Sequence, residues 1–162
     1  MDAHGGRALE QLYRDHAHGV LAYLITLARD RDEAEDLLQE TFIRATRAIG
    51  GYRGGDPRVW LLMIARTTFL DARRRRRAVP VDEVLEAGVH LDPDTAETQT
   101  VRAALARLPS SHREALVLRD QLDLPYAQVA EILGRSLGAT KVLIHRARAG
   151  FRDAYAREGG HA

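Results

Sequence analysis

The groups in this chain best suited to chemistry are clustered cations. Arg73, Arg74, Arg75, Arg76 and Arg77 form an unbroken run. On a helix, five consecutive side chains point all round the axis and cannot all be buried, because an unpaired buried charge is very costly. A nucleic-acid backbone neutralises such a run with release of counterions; a solvated helix end, favourable to the helix dipole, is the alternative. Trp60 and Phe69 lie near the run and have faces on which bases stack, though Trp60 reads better as core. Just upstream, residues 50–57 spell Gly-Gly-Tyr-Arg-Gly-Gly-Asp-Pro. The glycines permit positive φ and close backbone approach, Tyr52 offers a ring and Arg53 a charge. The segment suits capture of an unstacked single-strand base and equally a plain connection between helices.

A second basic group lies toward the C-terminus. Tyr126 to Leu133 reads as a short helix opened by Pro125 and closed by Gly134, with Ser136 capping a longer helix that reaches about Tyr155. Short helix, glycine turn and capped longer helix make the helix-turn-helix pattern. With Val129, Ile132 and Leu133 packed on Leu137, Ile144 and Ala147, the residues left facing outward are Ala139, Thr140, Lys141, Val142, His145 and Arg146. A recognition helix presents such residues to the major groove, and Arg135, Arg148 and Arg152 suit phosphate contacts. An ordinary helical hairpin with a solvated basic face has the same local pattern. Nearer the N-terminus, Asp36, Gln39 and Glu40 make an acidic ridge beside Phe42. It would repel DNA and suits a basic groove on a protein, or is simply a solvated face.

Other chemistry is missing from the pattern. No phosphate-binding glycine loop, paired carboxylates or nucleophile motif appears. His16 and His18, near Asp15, are two residues apart and do not share a helix face. The chain has no cysteine, which excludes disulfides, thiolate zinc sites and cysteine nucleophiles. No apolar run approaches the roughly 20 residues needed to cross a bilayer, and residues 1–6 lack the basic-then-apolar pattern of a secretion signal. The expectation is a cytoplasmic protein that is not an enzyme and uses no cofactor or metal.

Charge alternates along the chain beneath a formal net charge of +1. Residues 1–77 carry +3, residues 78–100 carry six acids and no base, and residues 101–162 carry +4. Two basic ends around an acidic middle hint at a polyanionic partner, unless the clustering is chance. Lys141 is the only lysine among 24 bases. Arginine suits bidentate contacts to phosphate and base edges, although genomic base composition has the same effect.

The elements that must hold these groups all read as helices, and no stretch alternates with the period of a strand. With 162 residues and 45% apolar content, the chain has room for one ordinary domain or two small ones. Leu9, Leu12 and Tyr13, then Val20, Leu21, Leu24 and Ile25, fall at helical spacing. Asp32 opens a second helix with the stripe Leu38, Phe42, Ala45 and Ile49, and Asp56-Pro57 opens a third that runs into the arginines. Residues 78–97, with Pro80, Gly88 and Pro93, read as an extended acidic linker, or as one short helix at 84–87. Val101, Leu105 and Leu108 mark a helix before Pro109, and Ser111-His112-Arg113-Glu114 fits a capping box for the next. The fold class expected is all-α: two small helical domains joined by an acidic linker, the second a helix-turn-helix domain. Their bounds are 1–77, 78–100 for the linker, and 101–158.

These pieces resemble a known family. Glu35-Asp36-Leu37-Leu38-Gln39-Glu40-Thr41-Phe42-Ile43-Arg44-Ala45 is similar to the helix with which sigma factors dock on RNA polymerase. Tyr52-Arg53, Trp60-Leu61-Leu62-Met63-Ile64-Ala65-Arg66, Asp71 and the arginine run resemble the rest of that domain. Ala104-Leu105-Ala106-Arg107-Leu108-Pro109, Tyr126 to Gly134 and His145-Arg146-Ala147-Arg148 resemble the C-terminal sigma domain. The chain resembles, from about Leu9 to Arg152, an extracytoplasmic-function sigma factor, the minimal two-domain class of the sigma-70 family.

The resemblance implies an alternative sigma factor that binds core RNA polymerase and directs promoter recognition, melting and transcription initiation. It implies that Asp36, Gln39, Glu40 and Phe42 meet the β′ clamp helices. Tyr52 and Arg53 would capture a flipped base of the minus-ten element, and Arg66 with residues 73–77 would hold that element's strands. The acidic linker would thread toward the RNA exit path as a nucleic-acid mimic. Arg135, Thr140, Lys141, Val142, His145, Arg146 and Arg148 would serve the minus-thirty-five element, with the β flap as the neighbouring polymerase surface. An anti-sigma factor, often membrane-bound, is the further partner implied; the chain itself has no direct membrane insertion. Members often carry Lys-Ser-Arg where this chain has Lys141-Val142-Leu143, which takes a hydroxyl and a guanidinium off the reading surface. A stand-alone helix-turn-helix regulator, the other reading, leaves the acidic ridge and linker without a purpose.

Overall fold

A computed structural model of the chain describes residues 3–78 and 95–159. Among the described residues every regular element is helical and there is no strand, as expected of an all-α chain. Two compact units divide it, residues 1–90 and 91–162. The acidic linker expected over 78–100, with its alternative helix at 84–87, lies outside the described residues as far as 94.

In the first unit α1 (Ala3–Ala28), α2 (Arg31–Ala48) and α3 (Pro57–Ala78) pack on one another. Their contact is built from apolar stripes at helical spacing: Val20, Tyr23 and Leu24 on α1, Ala34, Leu38 and Ala45 on α2, Leu61, Leu62 and Ala65 on α3, all buried. Each large side chain so buried contributes roughly 1.5–3 kcal/mol. Thr41 and Thr68 are also fully buried. Their hydroxyls donate to the carbonyls of Leu37 and Ile64, both at 2.7 Å, so neither polar group is stranded. The two apolar clusters expected near the N-terminus belong to one continuous helix.

The connections of this unit are short and capped. Arg29, at φ 59°, ends α1 in the left-handed region usually taken by glycine, and its N–H reaches the Ile25 carbonyl at 2.7 Å. Asp30 accepts the N–H of Asp32 at 2.9 Å. The helix therefore opens at Arg31 under Asp30, not at Asp32, which instead sits with Glu33 in the first turn. After a 3-10 turn (Ile49–Gly51), Gly54 and Gly55 turn the chain at φ 96° and 89°. Asp56 then accepts the Arg58 N–H at 2.9 Å and Pro57 begins α3, as the Asp-Pro pair indicates.

In the second unit α4 (Ala96–Ala106), α5 (Ser110–Leu116) and α6 (Tyr126–Leu133) pack against α7 (Leu137–Arg157). α4 starts ahead of the expected Val101 because the Thr95 hydroxyl accepts the Thr98 N–H at 3.2 Å. α5 opens beneath the Pro109 carbonyl, which accepts the Arg113 N–H at 3.1 Å. No side chain caps it, so the capping box expected of Ser111 and Glu114 does not form; Glu114 is buried instead. The helix then widens into a π-turn (Val117–Gln121), with the Leu122 N–H on the Val117 carbonyl at 2.8 Å. Asp123, at φ 56°, turns the chain and delivers Leu124 into a core with Leu118, Val129, Ile144 and Ala147. Leu137, expected in that packing, is 46% exposed, because the first turn of α7 projects past the core. No described helix is long and apolar enough to cross a membrane.

Gly134 at φ 64° closes α6, and the Ser136 hydroxyl accepts the Ala139 N–H at 3.1 Å to open α7. Nothing crowds the missing Cβ of Gly134, so its requirement is conformational. Gly134→Ala is expected to cost about 1–2 kcal/mol and Ser136→Ala about 1 kcal/mol. Urea unfolding of the full chain followed by circular dichroism measures both; unchanged midpoints would refute the assigned roles of this turn.

Candidate nucleic-acid interfaces

On α7 the residues Lys141, Val142, His145 and Arg146 are exposed, as are Arg135 in the preceding turn and Arg152 farther along. The core residues Leu143, Ile144 and Ala147 occupy the other side of the helix. One expected member of the reading surface is absent from it. Thr140 is fully buried, and its hydroxyl donates to the Ser136 carbonyl at 2.8 Å. It stands four and seven residues before Ile144 and Ala147, so helical phase carries it inward with them. Leu143 is buried as well; an arginine's absence at that position therefore does not alter this chain's exposed face.

Arg148 is committed inside the domain. Its guanidinium donates twice to the Asp120 carboxylate, at 2.6 and 3.1 Å, and once to the Tyr126 hydroxyl at 3.3 Å. Arg119 lies over the Tyr126 ring at 4.9 Å and donates to Asp123 and to the Leu124 carbonyl, each at 3.4 Å. The Arg148 hydrogen bond, and after it that of Arg119, holds the Tyr126 phenol below its ordinary pKa; Asp120 raises that of Arg148. The network ties the π-turn, the start of α6 and the middle of α7 together and sets the angle at which α7 is offered. Arg148, expected at a phosphate, is here engaged by a fork to a carboxylate of its own chain.

In the first unit the arginine run divides by partner. Glu33, whose side chain is only 12% exposed, holds Arg76 at 3.1 Å and Arg73 at 3.7 Å. Arg73 also lies over the Phe69 ring at 4.9 Å and donates to the Ala28 carbonyl at 3.3 Å. Arg74 meets Asp71 at 3.5 Å from a side chain 80% exposed, and Arg75 and Arg77 are exposed. Arg66, one turn before Leu70, is half-buried. Upstream, Tyr52 stacks obliquely on Trp60, ring centres 5.0 Å apart, and its hydroxyl donates to the Gly55 carbonyl at 2.6 Å. Trp60 is therefore half-buried beneath Tyr52 rather than sealed in the core, and Arg53 stands exposed on the same loop.

The α2 ridge has the expected members. Asp36 and Gln39 are exposed; Glu40 accepts from Arg44 at 3.2 Å; Phe42 meets the Tyr13 ring edge-on at 4.9 Å. Arg44 reaches on to Asp71 at 2.8 Å, and that hydrogen bond holds the Asp71 carboxyl below the usual range. Between α2 and α3 runs an open groove of about 460 Å³ with Glu33, Asp36 and Glu40 on one bank and Arg75 and Arg76 on the other. Glu33, Arg119 and Asp120, and the pairing of Asp71 with Arg44, are features that reading the sequence alone passes over. Their distant partners lie 27 to 43 residues away or depend on the π-turn, and no local pattern announces such pairs.

Two family comparisons match these units separately: Sigma-70 region 2 over residues 12–79 and Sigma-70 region 4 over residues 98–149. RNA polymerase sigma factor YlaC of Bacillus subtilis is 33% identical over 152 residues, covering 87% of this chain and 88% of that protein. ECF RNA polymerase sigma factor SigM of the same organism is 30% identical and covers 92% and 96%. Among solved structures, the sigma factor RpoE of Bartonella quintana in complex with the anti-sigma factor NepR superposes with a TM-score of 0.77 at 26% identity, covering 91% of this chain and 96% of that one. CnrH in complex with the cytosolic domain of CnrY gives 0.68 at 26% identity, with 91% and 87% covered. With both sigma regions present in order and relatives of 33% and 30% identity covered over most of their length, this chain belongs to the extracytoplasmic-function class of the sigma-70 family.

Proposed function

We propose that the chain is a promoter-specificity subunit of bacterial RNA polymerase. It binds the core enzyme, brings it to a promoter, helps melt the minus-ten element and so starts transcription. It catalyses nothing itself; it positions DNA for the polymerase, in the cytoplasm and without a cofactor. The observation that carries the reading is the pairing on one helical unit of an acidic ridge on α2 with exposed arginines on α3. A stand-alone DNA-binding protein has no use for the former.

In this reading residues 1–77 dock and hold the minus-ten element. Asp36, Gln39, Glu40 and Phe42 meet the β′ clamp helices, Tyr52 and Arg53 take an unstacked base, and Arg66 with Arg74, Arg75 and Arg77 holds the strands. Residues 101–158, lengthened by the first turns of α4, read the minus-thirty-five element through Arg135, Lys141, Val142, His145 and Arg146, beside the β flap. The six acids of residues 78–100 suit a tether lying where nucleic acid otherwise runs. An anti-sigma factor is a further partner, supported by a similar solved sigma factor that is bound to one.

Three outcomes test these assignments. Asp36→Lys with Glu40→Lys is expected to lose core polymerase in a pull-down, and retained binding would remove the docking assignment. The triple variant Arg74→Ala, Arg75→Ala and Arg77→Ala is expected to bind polymerase normally yet form open promoter complexes at least about tenfold less well. The slope of log affinity against log salt should fall by about 2–3, one phosphate lost per arginine; unimpaired opening would sink the assignment. Arg148→Gln, by contrast, is expected to leave that slope unchanged, lower the thermal midpoint and return the Tyr126 phenol upward toward its ordinary pKa near 10, read by NMR of labelled tyrosine. A drop in the slope with an unmoved phenol would restore Arg148 to the DNA.

A further inference from the structure

The exposed face of α7 has an apolar centre that its own domain does not use. At 3.6 residues per turn, Thr140, Leu143, Ile144 and Ala147 gather on one side of the helix, and Val142 stands opposite them. Those four are buried, while Val142 is 49% exposed. Along the same line, one turn earlier, are Gly138 and Ala139, both exposed, with nothing near the Cβ position of Gly138. Lys141 flanks this line on one side, with His145 and Arg146 beginning the next turn. Over its first turn and a half, then, the middle of the face has no side-chain hydrogen-bond donor or acceptor. A β-branched residue here is only half covered and lowers helix propensity slightly.

Base edges in the major groove present donors, acceptors and one apolar feature, the C5-methyl group of thymine. We propose that Val142, with Ala139 beside it, reads thymine methyl groups in the minus-thirty-five element. The assignment rests on the helix-turn-helix reading above and gives that surface its base preference. Small Gly138 and Ala139 let the helix lie deep in the groove. The stiff χ1 of valine holds its two methyl groups in place at little entropic cost. Lys141 and Arg146 at the flanks supply phosphate or guanine contacts.

The test begins with the full chain on core polymerase selecting from duplex DNA randomised through the minus-thirty-five region. Each thymine of the selected element is then replaced singly by deoxyuridine, which removes the methyl group and keeps the pairing. One or two positions are expected to lose about three- to tenfold in affinity. Val142→Ser, a change at an exposed position, should be indifferent to the same replacement. A selected element without thymine, or uracil bound as well as thymine throughout, overturns this proposal and leaves the helix-turn-helix reading standing. Undiminished sensitivity in Val142→Ser overturns the assignment to Val142. Selection of no element at all overturns both.

Discussion

A guanidinium already held by a carboxylate of its own chain has little charge left for a phosphate. In a protein with 24 bases against 23 acids, that exclusion sorts the arginines by how firmly they are held. Burial of the carboxylate separates the pairs on α3. Glu33 is 12% exposed between two arginines, and removing both would strand a nearly desolvated charge. Arg73 and Arg76 are therefore spent on joining α2 to α3. The Arg74–Asp71 pair is of the other kind: an exposed i, i+3 contact of the sort worth little in water, which a phosphate displaces easily. Arg148 is held in a different way, by three hydrogen bonds to the exposed Asp120 and to Tyr126, whereas Arg146, two residues earlier on the same helix, is exposed.

The helix that carries the ridge therefore has two electrostatic jobs. Glu33 faces α3 and anchors the arginine run, whereas Asp36 and Gln39 face solvent. Glu40 links the two, because it holds Arg44, which holds Asp71, which meets Arg74. This chain of charges joins the acidic ridge of α2 to the exposed arginines of α3 within one small unit. A cation brought against Glu40 competes with Arg44, and any weakening of Arg44 falls on Asp71 and its second arginine. Hydrogen-bonded charge networks transmit such changes more strongly than exposed pairs do, since each member is oriented by the next.

Local signals and long-range ones were unequally legible in the sequence. Asp56-Pro57, Gly134 and Ser136 announce helix ends because each acts on backbone groups two or three residues away. Helical spacing likewise identifies the stripes of α2 and α3. Thr140 shows what residue type conceals: it is polar, yet its phase places it with Ile144 and Ala147, and a threonine buries at little cost once its hydroxyl bonds the carbonyl four residues back. Thr95 caps α4 from within a stretch whose acidity reads as linker. The π-turn has no composition of its own; it follows from the need to seat both Leu118 and Leu124 in one core. Pairs such as Arg44–Asp71 and Asp120–Arg148 join residues 27 and 28 positions apart, and only the packed helices bring them together.

The accounting of cations explains why such a chain needs a larger assembly. After the internal pairs are subtracted, the first unit has Arg74, Arg75 and Arg77 for its arginine-run contacts, and the second has Arg135, Lys141 and Arg146 near the start of its recognition helix. About three phosphates neutralised by each set give only a shallow salt dependence and weak binding at physiological ionic strength. In the proposed reading neither unit alone is expected to reach the affinity of a specific DNA complex. Joining two weak readers on one scaffold makes the second contact intramolecular and multiplies affinity by orders of magnitude without any new bond. The acidic ridge on α2 suits attachment to that scaffold, and the acids between the units discourage the chain from wrapping its own linker around DNA. Specificity then depends on a few uncommitted groups at the exposed ends of otherwise self-satisfied helices.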